Sequence, residues 1–169
     1  MHIGFFPNSS DPQIINNAKI GTLETGYYGG SFKCENSFFE LVTADYFTFY
    51  STYECSNTFT FNFCEIEKIS LAYASAECDL SNTNVMHLEV YPEQTFTISE
   101  NSKIDKITIP LNLNDNYNGY GEYVTFEDAE TIITIKSGCT ANISTATRDN
   151  EYITLNIEAG ATVTYFNQE

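Results

Sequence analysis

Alternation of apolar and polar residues with a period of two runs through most of this 169-residue chain, and it leaves little room for anything but strands. Thr58-Phe59-Thr60-Phe61-Asn62-Phe63-Cys64 is the clearest stretch: Phe59, Phe61 and Phe63 fall on one face, and Thr58, Thr60 and Asn62 on the other. Such a strand has one face packed and one facing water or a partner. The 13 Phe and 12 Tyr, with no Trp, suit pleated half-buried surfaces. Phe38–Thr43 and Tyr46–Tyr50 read as two further strands of the same aromatic block.

The same pattern returns downstream. Met86, Leu88 and Val90 alternate with His87, Glu89 and Tyr91 before Pro92. Ile107, Ile109, Leu111 and Leu113 share a face, and Pro110 marks that strand as an edge because it cannot donate to a ladder. Ile133, Ile143, Ile153 and Val163 recur at a ten-residue spacing, with turn signals at Ser137-Gly138, Arg148-Asp149-Asn150 and Ala159-Gly160. That spacing predicts a meander in a sandwich or barrel; a β-solenoid with one strand per rung is the competing reading. Residues 65–80 are ambiguous. Ile66, Ile69, Tyr73, Ala76 and Leu80 step by three and four, which favours a helix there. The expected fold is therefore all-β, an antiparallel β-sandwich or jelly roll with at most one short helix. Residues 1–30 read as an N-terminal arm and edge segment, and 31–169 as the sandwich, with two lobes dividing near Pro92 as an option.

Charge excludes whole classes of function. The chain holds 23 Asp+Glu against 7 Lys+Arg, a formal charge of −16, and the basic residues are scattered. Phosphate neutralisation needs clustered Lys and Arg, so no nucleic-acid partner is expected. No stretch approaches the ~20 apolar residues of a membrane helix, so no membrane partner is expected. The N-terminus has neither a basic segment nor a long apolar core, so no signal peptide is read there. The five cysteines (Cys34, Cys55, Cys64, Cys78, Cys139) form no Cys-x-x-Cys pair and no zinc spacing; they are expected to be buried, reduced thiols.

Few residues carry a chemical signal. Asn114-Asp115-Asn116-Tyr117-Asn118-Gly119 begins like a calcium loop, but the twelfth position is Thr125, where a bidentate Glu is needed. A surface loop is the reading, with no metal. Its Tyr117 and Tyr120, like Tyr27 and Tyr28 between Gly26 and Gly30, offer contact area with a polar tip, which suits protein or glycan recognition. His87 shares a strand face with Glu89, but no nucleophile sits beside them in a recognisable setting, and Glu127-Asp128-Ala129-Glu130 reads as a solvated turn. No catalytic residue and no cofactor are assigned. Ile3, Phe5 and Phe6 belong to a segment with too little periodicity for its own core, yet apolar enough to need cover, as in an arm buried on a neighbour.

The Thr/Asn/Tyr-rich strand pattern, the low basic count, the absence of a signal peptide and the run from Ile153 to Tyr165 together resemble the β-rich virion proteins of tailed bacteriophages, of the head-decoration or fibre type. The resemblance implies a non-enzymatic structural or interaction protein, homo-oligomeric, assembled in a host cytoplasm and carried in the virion. The alternative is a glycan-binding β-sandwich module that uses the tyrosine loops.

Overall fold

Among the described residues fifteen short strands form, built on alternation of apolar and polar residues, and all of them pair in parallel. The computed structural model describes residues 2–5, 11–25, 30–44, 56–72, 75–110, 126–127 and 129–168. In chain order the strands are β1 (His2–Phe5), β2 (Gln13–Asn16), β3 (Lys19–Thr25), β4 (Gly30–Glu35), β5 (Phe38–Ala44), β6 (Ser56–Asn62), β7 (Glu65–Ser70), β8 (Ser75–Ser81), β9 (Asn84–Glu89), β10 (Gln94–Ser99), β11 (Lys103–Thr108), β12 (Thr131–Ile135), β13 (Thr140–Ser144), β14 (Ile153–Ile157) and β15 (Thr162–Phe166). One four-residue helix, α1 (Thr145–Arg148), follows β13, with Ser144 as its N-cap.

Odd-numbered strands make an eight-stranded sheet and even-numbered strands a seven-stranded one, each in strict sequence order. Each strand pairs with the strand two places on, so the chain winds as a two-sided solenoid. The all-β character holds, but the antiparallel sandwich or jelly roll does not. Period-two alternation reports that one face is buried and says nothing of a neighbour's direction. Parallel sheets usually need helical crossovers that cover both faces. Here the crossover is a strand of the opposite sheet, so each sheet keeps one wet face and imitates an antiparallel pattern.

Two further expectations are corrected. Residues 65–80 are not a helix but β7, a connection and β8. The three-residue step from Ile66 to Ile69 spans an irregular strand. Ile20/Leu23, Phe39/Val42, Val85/Leu88 and Ile104/Ile107 repeat the same step, and the register shifts between Ile104 and Ile107. A bulge adds one residue between inward positions, which copies helical spacing. Likewise β11 is no edge: it lies between β9 and β13 and ends at Thr108, before Pro110. The ten-residue spacing is half a turn of the solenoid, since Ile133 and Ile153 are in one sheet and Ile143 and Val163 in the other.

The core is a slab between the sheets, built of stacked rows. One row runs Ile15, Cys34, Phe61, Leu80, Ile98, Ile135, Ile157; a second runs Phe32, Phe59, Cys78, Phe96, Ile133, Leu155. Phe59 and Phe61 are fully buried, as their alternation predicts. Phe32 stacks on Phe59 at 5.4 Å, and Phe39 meets Phe61 edge-on from the opposite sheet at 5.6 Å. Phe63 departs from that face: it is 56% exposed, with φ 53° in the turn after β6.

Even-to-odd turns are short and alike. Each places a residue at positive φ (Asn17, Asn36, Phe63, Asn82, Asn101, Gly138, Gly160), preceded by a second one, Glu100, in the turn from β10 to β11, and then a small inward one (Ala18, Ser37, Cys64, Thr83, Ser102, Cys139, Ala161). Asn and Gly tolerate that conformation best. The small side chains link successive turns. Ala18, Cys64 and Thr83 donate their N–H groups to the hydroxyls of Ser37, Thr83 and Ser102, each 19 residues on, at 3.0, 3.2 and 3.0 Å. Those hydroxyls donate in turn to the carbonyls of Glu35, Ser81 and Ser99. Among the described strands the widest sequence gaps fall instead between an odd strand and the next even one, as between β5 and β6 and between β11 and β12. The sheets run past Pro92 with unbroken pairing of β8 and β10.

Candidate functional site

Three surfaces of the solenoid concentrate chemistry or unsatisfied structure. The first is a polar row across the outer face of the eight-stranded sheet. Parallel register sets Lys68 beside His87, and Ser70 beside Glu89. One Glu89 oxygen accepts from Ser70 at 2.7 Å and Tyr91 at 2.9 Å, and meets the Lys68 ammonium at 3.1 Å. Partial burial raises the Glu89 carboxyl, but these donors outweigh it and hold the group below its ordinary range. Partial burial, then Lys68, keeps His87 below the usual histidine range; Glu89 opposes this and Lys106 adds to it. His87 Nε2 lies 2.7 Å from the Thr108 hydroxyl. The row is internally satisfied: each group has a partner on the next coil, which locks neighbouring coils together.

The second is an open pocket of about 320 Å³ lined by Phe126, Glu127, Ala129, Glu130, Glu151, Tyr152 and Thr154. Partial burial and the carboxylates of Glu127 and Glu151 push the Tyr152 hydroxyl above the ordinary phenol range. Glu127 and Glu130, read from the sequence as a solvated turn, are exposed and line this pocket with Glu151. Among the described residues, no group of three His, Cys, Asp or Glu side chains is placed to hold a metal ion.

The third is the C-terminal end of the solenoid. Among the described residues β14 pairs only with β12, and β15 only with β13, so one edge of each strand has no strand partner there. The core rows surface here. Ile157 is 42% and Tyr165 45% exposed, while their register partners Ile135 and Ile143 are fully buried. Neither strand contains a charged residue, a proline or a register shift. Natural edges usually carry at least one of those guards against pairing.

The residues singled out from the sequence fare unevenly. Ile3 and Phe5 stand on β1, opposite Leu23 and Thr25 of β3. Phe6, Tyr117 and Tyr120 lie outside the described residues, as do Tyr27, Tyr28 and the rest of residues 114–125. His87 and Glu89 are brought together with Lys68 and Ser70, which sequence distance had hidden; a 19-residue repeat in the turn positions was the available signal. Cys34, Cys64, Cys78 and Cys139 are buried free thiols. Burial pushes those of Cys34, Cys64 and Cys78 up, which makes them poor nucleophiles. No helix among the described residues is long and apolar enough to cross a membrane. No family model, curated protein or solved structure matches the chain.

Proposed function

We propose that this chain is a non-enzymatic structural or interaction protein of a larger assembly, with the C-terminal end of the solenoid as a docking surface. The carrying observation is the pair of unguarded edges on β14 and β15 together with the exposed core residues Ile157 and Tyr165. An edge of this kind presents free N–H and C=O groups and adds strands from a partner. The stacked core supports the reading, because a solenoid locked coil to coil suits a rigid spacer. A tailed-phage virion, with its many β-rich parts, is the setting this reading favours.

The test is the size of the protein in an extract of its natural source. Sedimentation far ahead of a 19.0 kDa chain supports the proposal. Migration as a free monomer at native concentration overturns it.

A further inference from the structure

The two sheets are unequal, and the inequality restricts what can meet the C-terminal end. Successive strands alternate between sheets; with the two sheets evenly interleaved, each strand stands half an inter-strand step, about 2.4 Å, further along the axis than the one before. Both β1 and β15 belong to the eight-stranded sheet. β15 therefore projects half a step beyond β14. Any partner that satisfies both edges at once must carry the matching half-step offset.

A second copy stacked head to tail lacks it. If β14 pairs with β2 of the next copy, that copy's β1 falls on the level already held by β15. If β15 pairs with β1, the seven-stranded sheet is left one strand short. A two-fold axis perpendicular to the sheets also fails: β15 meets its own copy, and the β14 edges stay a full strand apart. A two-fold axis parallel to the strands succeeds. It places β14 of each copy next to β15 of the other, at one-strand spacing on both sides. The pairing is antiparallel, because β14 and β15 run in opposite directions and this axis preserves strand direction. Inward faces stay inward, so Leu155, Ile157 and Val163 of both copies join one continuous core, while the Tyr165 ring stays under the Arg148 guanidinium.

Charge points the same way. Copies that each carry a formal −16 repel, and the repulsion is weakest where charge is absent. The ten positions of 153–157 and 162–166 are themselves uncharged, and the charges that touch them are of both signs: the Arg148 guanidinium lies 5.1 Å over the Tyr165 ring, and Glu130 accepts from the Thr154 hydroxyl at 3.4 Å.

We infer that two copies join through their C-terminal ends about a two-fold axis parallel to the strands, β14 of each pairing with β15 of the other. The inference rests on reading this end as a docking surface and names its occupant. The interface is isologous and closed, so it gives a dimer and not a filament.

Sedimentation velocity of the purified chain over a concentration series tests it. The expected result is a shift from the monomer to a species of twice 19.0 kDa. Amide exchange at 153–157 and 162–166 slows as the dimer fills. Ile157→Lys changes a side chain that the free chain already exposes, so the fold is kept, as the far-UV spectrum will show. It is expected to weaken the dimer at least about tenfold, because it sets a charge in a desolvated seam. Thr134→Lys, on the outer face of β12, leaves the dimer unchanged. Three results overturn the inference: a monomer at every concentration, an open series of larger species, or a dimer indifferent to Ile157→Lys with no added protection in β14 and β15. A purified monomer from a chain that sediments as a large species in native extract sinks the homodimer alone. A monomer in both sinks the docking surface as well.

Discussion

The two long edges of the slab are built on opposite principles. Along the turn edge, each even strand passes to the next odd one through the same positive-φ residue and small inward residue, and backbone bonds repeat from turn to turn, as in Asn36 N–H to Asn62 O at 3.1 Å and Asn82 N–H to Glu100 O at 3.1 Å. Along the connection edge the chain length varies freely. There the buried reversals are satisfied by individual polar side chains: Gln94 donates to Leu71 O at 2.7 Å and accepts from Tyr91 N–H at 3.0 Å, while Asn57 donates to Ser75 O at 3.2 Å. The lesson concerns tolerance. A repeated ladder fixes register because each member depends on the next. An edge closed by separate bonds accepts insertions, since lengthening a loop costs only a slowly growing entropy.

The difference is broken most sharply by insertion. Two residues added after Asn82 should cost about 5 kcal/mol or more, because the turn ladder and the register of both flanking strands are lost together. The same two residues added after the exposed Asp149, in the connection from β13 to β14, should cost less than about 1 kcal/mol. Urea denaturation of both variants decides, and equal losses would remove the distinction between the edges.

Next in size is Phe61→Ala, expected to cost about 3–5 kcal/mol. Phe61 is fully buried beside the turn edge and touches Phe39 of the opposite sheet. A loss below about 1 kcal/mol in the same assay would mean that the slab is not held as described.

Removing one rung from the turn ladder is milder. Thr83→Val keeps the shape but leaves the buried Cys64 N–H without its acceptor, at a cost of about 1–3 kcal/mol. Gly160→Ala should fall in the same range. Its φ of 95° strains any side chain, and an added Cβ would lie 2.5 Å from Ser137 Oγ. Thermal shifts of these two variants beside Phe61→Ala order the contributions.

The smallest effect belongs to the polar row that ends at the connection edge. His87 has a lowered pKa in the fold, so the folded state binds fewer protons than the unfolded chain. The neutral histidine contributes fully above the unfolded pKa of about 6.5, and stability falls as pH drops below it toward the folded value. Glu89 also has a lowered pKa; its contribution is present above about pH 4.3 and is lost as pH falls through the folded value. His87→Gln should flatten the stability profile below pH 6.5, and Glu89→Gln should flatten it below pH 4.3. Profiles that keep the wild-type slopes would separate these shifts from stability.

Much of this solenoid was legible at the level of single strands. The inward positions of Phe59, Phe61, Leu88, Ile133 and Ile143 follow from alternation alone. The exposure of Phe63 did not, because its place in the alternation continues a strand that the backbone has already left. The acid-lined pocket and the Lys68–Ser70–Glu89 contacts were illegible for another reason: their members lie about twenty residues apart, and only knowledge of the coil length brings them into register.

The sequence by itself determined that the chain forms half-buried strands and which apolar residues are covered, because these depend on local periodicity. Tertiary structure alone decided that the strands run parallel, that a three-residue step is a bulge and not a helix, and that the two ends of the slab differ. Strand direction and sheet membership are set by where the chain returns after each turn, and a two-residue alternation carries no record of the return.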